Sequence, residues 1–480
     1  MAGTYSRSAD ILVIGGGPGG YMAGIRAGQL GRKVLLIEKR DLGGECLNRG
    51  CIPSKALIHA ARLYHDLRVE GADIGVTATD LRFDLSTTMR WKDEVVAKER
   101  QGVAMLLKSA GVTVLSGVGR FTGPRTADFA APDGGHERID FGAAIVATGA
   151  THGTIPGFEL DGERVLNAWD LLSIKTLPRS MLILGGGVSG CELGEFLARV
   201  GVEVTIVELL SQLLPGMEPD LSRELTATLE RLGVHIHVGT KAVGLRRETD
   251  ELTMTVEASN GRSELSAERL FVTVGKRPES RDLGLEDAGV AFDAKTGFIP
   301  VDDQMRTNQR HIYAVGDVAR PPMLAHKSYR EGIAAAEAAS GLPTRFDFLA
   351  MPSVVFTVPE LASVGYTKPE AESKGYHARE SRFPYAALGR AHASHSTQGW
   401  VKIVGDDVSG LLLGVHAAGE GAGEYIAEAA HALEMGSTVR DLALTIHPHP
   451  TFSEALGEAA LLWLGEPMHV ARRRVDAGGR

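Results

Sequence analysis

Cys46 and Cys51 lie five residues apart in Gly43-Gly44-Glu45-Cys46-Leu47-Asn48-Arg49-Gly50-Cys51-Ile52-Pro53-Ser54-Lys55, and the 480-residue chain holds only one other cysteine, Cys191. Thiols this sparse and this close are placed for chemistry with each other, and a disulfide that exchanges electrons is the chemistry they suggest. Only a thiolate exchanges rapidly, and a thiol with a pKa of roughly 8.5 is about 3 % ionised at pH 7. A positive neighbour that lowers the pKa by about two units, worth about 2.7 kcal/mol, makes thiolate the major form. A static bond or half a zinc site is the rival use, but zinc needs more ligands and no second cysteine pair exists. A second reactive stretch, His447-Pro448-His449-Pro450-Thr451-Phe452-Ser453-Glu454, alternates histidine with proline, which restricts the backbone and fixes side-chain direction. A carboxylate on one imidazole nitrogen leaves the other free to carry a thiol proton near neutrality. A His-x-His metal pair would need further ligands, so no metal site is expected.

The elements that must position these groups are announced by a repeat. Ile11-Leu12-Val13-Ile14 followed by Gly15, Gly17 and Gly20 is echoed by Met181-Leu182-Ile183-Leu184 followed by Gly185, Gly187 and Gly190. At the same offset of 170 residues Gly24 maps to Gly194, Gly31 to Gly201 and Glu38 to Glu208. Each copy reads strand, glycine turn, helix, strand, with an acid about 20 residues after the turn, as in a dinucleotide fingerprint. One glycine permits the tight turn, one lets backbone N–H groups approach a pyrophosphate, and one packs helix on strand. The helix N-terminus offers its positive dipole end to the phosphates. The closing acid accepts from a ribose hydroxyl. Glu208 is followed by Leu209-Leu210-Ser211-Gln212, with no arginine for a 2′-phosphate, so NAD is expected over NADP.

Strands are also expected at Ala144-Ile145-Val146-Ala147-Thr148-Gly149, Leu270-Phe271-Val272-Thr273-Val274-Gly275 and Ile312-Tyr313-Ala314-Val315-Gly316-Asp317, the last returning the chain to its first domain. From about Met351 the pattern becomes α+β: Val401-Lys402-Ile403-Val404 and Leu411-Leu412-Leu413-Gly414-Val415 flank an Asp-Asp turn, and a helix covers Ala422 to Met435. Apolar residues make up 44 % and charged residues 23 %, a globular profile that calls for roughly three or four domains at this length. The 59 glycines follow no G-X-Y period and cluster after strands. A net charge of -9 argues against nucleic acid as the main partner. Three cysteines make no secreted framework and fit a reducing compartment. No stretch reads as a signal or membrane span, so a cytoplasmic location is expected. Cys191 is expected to be buried, His392 and His395 to be solvated loop residues, and Arg472-Arg473-Arg474 to Arg480 to be a solvated tail. The tryptophans show no pattern beyond packing.

These residues resemble the pyridine nucleotide-disulfide oxidoreductases, flavoproteins with an FAD site, an NAD(P) site and a redox disulfide. The Gly43–Lys55 segment, Met323-Leu324-Ala325-His326-Lys327 and the His447–Glu454 run are most similar to the branch that reoxidises the lipoyl group of 2-oxoacid dehydrogenase complexes. The resemblance implies an α/β fold: two Rossmann-like dinucleotide-binding domains plus a C-terminal α+β dimerisation domain. Its segments would be 1–152 and 277–349 for FAD, 153–276 for NAD and 350–480 for dimerisation. It implies that Cys46 exchanges with the lipoyl sulfur and that Cys51 lies against the flavin. His449 would be the base and Glu454 its orienting carboxylate, both from the other subunit of a homodimer, with His447 structural. Lys55, otherwise readable as a surface lysine, would be a cation near the flavin paired with Glu192. FAD contacts would include Gly15, Gly17, Gly20, Glu38, Gly44, Lys55, Gly119, Thr148, Gly149, Asp317, Met323, Leu324, Ala325 and His326. NAD contacts would include Gly185, Gly187, Gly190, Glu208 and Gly275. No lipoyl domain precedes Asp10, so that group is expected on a separate partner of E2 or H-protein type. Departures from the family are Lys276 for arginine, Pro448 for alanine, and the sequence Thr151-His152-Gly153.

Overall fold

The computed structural model describes residues 6–471, so the arginine-rich end lies outside the described residues. The chain divides into two compact units. One holds the chain to Ala60, Arg82–Leu177 and Phe271–Asp347; the other holds Ala61–Leu81, Pro178–Leu270 and the chain from Phe348 onward.

The first unit is built on a seven-stranded sheet. Along its main path the order is Thr113–Ser116, Val34–Glu38, Ser6–Ile14, His136–Val146, Thr126–Ala130, Val118–Gly123. Ser6–Ile14 pairs in parallel with Val34–Glu38 on one side and His136–Val146 on the other. A strand with neighbours on both edges and layers on both faces must be apolar throughout, which is why Ile11 to Ile14 show no alternation and are at most 4 % exposed. The expected return of the chain occurs at Ile312–Ala314, which pairs in parallel with Ala144–Val146. The Ala150–His152 and Lys276–Pro278 strands form a separate antiparallel pair.

The glycine turn fixes the helix Pro18–Gln29 against this sheet. Gly15 has φ +103°, a conformation that costs other residues strain. A Cβ on Gly20 would stand 1.8 Å from the Gly15 carbonyl oxygen, so only a bare Cα lets helix and turn approach this closely.

The second unit repeats the motif. Ser180–Leu184 pairs in parallel with Glu203–Val207, which pairs in turn with His235–His237, and the helix Val188–Arg199 follows the turn at Gly185, φ +114°. Gly31 and its counterpart Gly201 both have positive φ, at +77° and +94°. The repeat is therefore one of backbone conformation as well as of letters. An antiparallel sheet of Lys241–Arg247, Leu252–Ala258 and Gly261–Ala267 comes next.

The expected α+β region is a five-stranded antiparallel sheet in the order Ser353–Val355, Leu361–Gly365, Leu412–Ala418, Trp400–Asp406, Ala378–Pro384. The helices Ala422–Glu434 and Glu454–Leu464 cover it with a core that includes Trp463, Ile426 and Leu456. Buried Lys402 on this sheet binds Glu218 at 2.7 Å and also Asp220, joining the helix Pro219–Arg231 to the strand Trp400–Asp406. His392 lies on a short helix, Gly389–Ala393, rather than in a loop, with its ring nitrogen 2.8 Å from the Ala386 carbonyl oxygen.

Candidate active site

In the first unit a cavity of about 870 Å³ opens at the ends of the parallel strands, the place where nucleotides bind in such sheets. Gly15, Gly17, Glu38 and Gly44 line it, as do Gly119, Thr148, Gly149, Asp317, Met323 and Ala325. Cys46 and Cys51 share the same wall. Among the residues read as FAD contacts, Gly20 lies beneath the turn, and Leu324 caps the helix Ala325–Ala339 that His326 also belongs to.

A dinucleotide's phosphates fit this cradle. Gly44 has φ +64°, and a Cβ on it would stand 2.5 Å from the Gly17 Cα, so the redox segment and the phosphate turn pass each other backbone to backbone. Glu38 already accepts the Gly16 N–H at 2.6 Å and the Arg40 N–H at 2.7 Å. Each carboxylate oxygen keeps a lone pair for a ribose hydroxyl, so the acid first shapes the turn and then meets ligand.

The two cysteines are held on consecutive helices. Cys46 lies in Gly44–Arg49 and Cys51 opens Cys51–Val69, one turn ahead of Lys55. The two sulfurs are not bonded to each other in this structure. The hydrogen bond with Cys51 and burial push the Cys46 thiol far up, and Lys55 pulls weakly the other way. Cys51 sits instead at a helix start, where the dipole favours negative charge.

Two of the family departures, Lys276 and His152, lie near the sulfurs, together with Glu45 and Trp169, which sequence reasoning did not single out. Glu45 binds Lys276 Nζ at 2.9 Å, tying the redox helix to the strand that carries the family departure at 276. Burial pulls the Lys276 ammonium down, but Glu45 and Asp317 outweigh it and leave it raised. His152 approaches Glu45 only to 3.9 Å and meets Trp169 edge-on at 4.8 Å, while Arg40 and Arg49 lie over the same indole. Trp169 thus does have a pattern, one made by tertiary contact.

The turn bearing Asp317 rests on buried charge. Glu331, with no solvent exposure, accepts from the Gly316 N–H at 2.7 Å, from Arg320 at 3.0 Å and from Lys327 at 3.2 Å. Burial raises the Asp317 carboxyl, with Lys276 and Lys327 opposing it.

In the second unit the same logic recurs. Glu208 accepts the Gly186 N–H at 2.7 Å and the Leu210 N–H at 2.8 Å, while the space before Gly187 is open. Cys191 is buried and donates to the Gly186 carbonyl at 3.3 Å, as expected of a packing thiol. Glu192 is buried too, accepting the Phe356 N–H at 2.9 Å. Gly275 falls in the first unit, where its carbonyl accepts the Gly153 N–H at 2.8 Å.

The histidine segment also lies in the second unit. His449 Nδ1 stands 2.8 Å from Glu454 Oε1, and the other oxygen accepts the Thr451 N–H at 2.7 Å. Burial alone would raise the Glu454 carboxyl, but that N–H and His449 hold it low. The His449 side chain is 77 % exposed, leaving its outer nitrogen open. His447 differs: its side chain is only 7 % exposed and is bound to Glu428 at 3.0 Å. Among the described residues no cluster of His, Cys, Asp or Glu suits a metal ion.

The family model for pyridine nucleotide-disulphide oxidoreductases matches residues 9–332, and the model for the dimerisation domain of that family matches 351–460. The chain belongs to this family. Its members use FAD and NAD(H). Over 97 % of its length the chain is 45 % identical to the whole of the dihydrolipoyl dehydrogenase of Thermus scotoductus. It is 41 % identical to that of Bacillus subtilis over 98 % of the chain and 100 % of the relative. It is 38 % identical to the mitochondrial one of Dictyostelium discoideum over 96 % of the chain and 95 % of the relative. The fold matches LpdA of Mycobacterium tuberculosis with a TM-score of 0.87 at 27 % identity, covering 95 % of this chain and 99 % of that one. It also matches the flavoprotein disulfide reductase RclA of Escherichia coli, as its Cu(II) complex, with a TM-score of 0.84 at 26 % identity, covering 95 % and 99 %. No described helix is long and apolar enough to cross a membrane.

Proposed function

We propose that the chain is an FAD-dependent dihydrolipoyl dehydrogenase that oxidises protein-borne dihydrolipoamide to lipoamide while NAD⁺ is reduced to NADH. The observation that carries this reading is the placing of Cys46 and Cys51 on the wall of the glycine-cradled cavity. Full-length relatives bearing that name support it. When bound, FAD supplies a two-electron relay between the sulfur pair and the nicotinamide.

The chain's own groups handle sulfur and protons. A lipoyl thiolate attacks Cys46 of the Cys46–Cys51 disulfide; the S–S bond breaks, its electron pair stays on Cys51, and a lipoyl–Cys46 disulfide forms. The second lipoyl sulfur then attacks the first, closing the lipoamide ring and expelling Cys46. The substrate loses two electrons and two protons, and the cysteine pair gains the electrons. His449, oriented by Glu454, takes the proton of the attacking thiol and passes one to Cys46 as it leaves. In this order Cys46 is the sulfur that exchanges with the lipoyl group, and Cys51 is the one on the flavin side.

In this reading His449 and Glu454 come from the second subunit of a homodimer, and Lys55 and Glu192 are the cation and the carboxylate that serve the flavin. Glu208 selects NAD by accepting the free 2′-hydroxyl. The lipoyl group arrives on an E2 or H-protein type partner. The cysteine usage suits a reducing, cytoplasmic setting.

The test is steady-state turnover with dihydrolipoamide, glutathione and coenzyme A as thiol substrates, each with NAD⁺ and NADP⁺. Dihydrolipoamide with NAD⁺ is expected to give the highest kcat/KM. A better value for another thiol would move the chain to a different disulfide substrate, and a better value for NADP⁺ would overturn the role of Glu208.

A further inference from the structure

The helix Val188–Arg199 buries two carboxylates three residues apart, Glu192 at 4 % and Glu195 at 2 % exposure. Both reach one stretch of chain. Phe356 N–H donates to Glu192 Oε1 at 2.9 Å, and Val358 N–H donates to both oxygens of Glu195, at 3.1 and 3.0 Å. Residues 356 and 358 follow the strand Ser353–Val355, and alternate residues of an extended chain present their amides to the same side. Arg199 completes the clamp. Its guanidinium binds Glu195 Oε1 at 2.8 and 2.7 Å and donates to the Val358 carbonyl at 3.4 Å. Both backbone groups of Val358 are therefore taken by one buried ion pair.

We infer that Glu195 and Arg199 are positioning residues: by clamping Val358 they hold the Phe356 N–H in place and so aim the Glu192 carboxylate. The inference rests on the proposed role of Glu192 in serving the flavin. It assigns the Glu195–Arg199 pair a part in electron transfer from NADH that neither residue's chemistry requires by itself.

The clamp carries a pH dependence. Burial pushes the Glu195 carboxyl up to about 7, against Arg199 and the Val358 N–H, which lower it, and Glu192, which raises it. The helix Cys51–Val69 contributes the remaining charges: Asp66, 3.9 Å from Arg199, and His65, held low by burial and by Arg199. Below about pH 7 the Glu195 carboxyl is neutral, the hydrogen bond to Val358 loses its charge assistance, and the carboxylate left to Arg199 among the described residues is Asp66, at 3.9 Å.

The experiment combines hydrogen exchange with a half-reaction on the holoenzyme. In Glu195→Ala the Phe356 and Val358 amides are expected to exchange about tenfold faster, as for loss of one charge-assisted hydrogen bond. The rate of flavin reduction by NADH is expected to show an inflection near pH 7 in the wild type and none there in Glu195→Gln. If Glu195→Ala does not fold, Arg199→Lys, which keeps the charge and loses the fork, serves for the exchange measurement. Unchanged exchange at Phe356, or an unaltered inflection in Glu195→Gln, would overturn the inference. A wild-type NADH half-reaction in Glu192→Gln would instead remove the role of Glu192, and exchange at Phe356 would still decide the clamp.

Discussion

Replacing Glu454 by glutamine separates the orientation of the base from the base itself. In the structure each carboxylate oxygen has its own partner, His449 Nδ1 at 2.8 Å and the Thr451 N–H at 2.7 Å. A glutamine has one acceptor oxygen for these two donors, so one charge-assisted hydrogen bond is lost, worth about 1.5–3 kcal/mol. At about 1.4 kcal/mol per decade of rate, kcat for dihydrolipoamide oxidation should fall about 10- to 100-fold. His449→Gln removes the proton carrier and should cost about 10²- to 10⁴-fold, within the usual range for a general base. Because the two act as a unit, the double variant should be no slower than His449→Gln alone. The assay is NADH formation from dihydrolipoamide, with NADH oxidation by an artificial acceptor as the control, since that reaction bypasses the sulfurs. An Glu454→Gln enzyme at wild-type rate, or one that loses the control reaction equally, refutes the assigned geometry.

Gly44→Ala places a Cβ 2.5 Å from the Gly17 Cα, and the purified variant should carry far less FAD than wild type, read from the flavin-to-protein absorbance ratio. Lys327→Met leaves Glu331 with Arg320 as its remaining cation in a site with no solvent exposure, a loss of the order of 3–5 kcal/mol that thermal melting should report. For His447, the hydrogen bond to Glu428 raises the imidazole above its ordinary value and burial opposes it. A raised histidine stabilises the fold fully below its unfolded pKa of about 6.5, and that stability is lost as pH rises through the higher folded value. Melting temperature should therefore decline across the neutral range, and Glu428→Gln should flatten the decline.

Those parts of the fold enforced by steric necessity were legible in the sequence. Gly15 and Gly185, at φ +103° and +114°, admit few other residues, and the Gly20 contact admits no side chain, so the fingerprints had to appear as letters. The apolar runs at Ile11 and Met181 were legible because strands covered on both faces cannot alternate. The buried ion clusters were not. The burial of Lys327, Glu331, Glu195 and Lys402 left no local mark in the sequence, since nothing in a single segment shows which layers of chain will cover it. Trp169, flanked by Arg40 and Arg49, was unreadable for the same reason. For the redox segment, spacing identified the pair, but only the break between its two helices distinguishes Cys46 within one from Cys51 at the start of the next.

That distinction is tested most directly by anaerobic addition of stoichiometric dihydrolipoamide to the FAD-loaded enzyme, followed by NAD⁺, with visible spectra recorded at each step. The account predicts a long-wavelength band on reduction that disappears as one NADH forms per flavin, and loss of that band in Cys51→Ser. Reduction of the flavin by dihydrolipoamide in Cys51→Ser at the wild-type rate would contradict it.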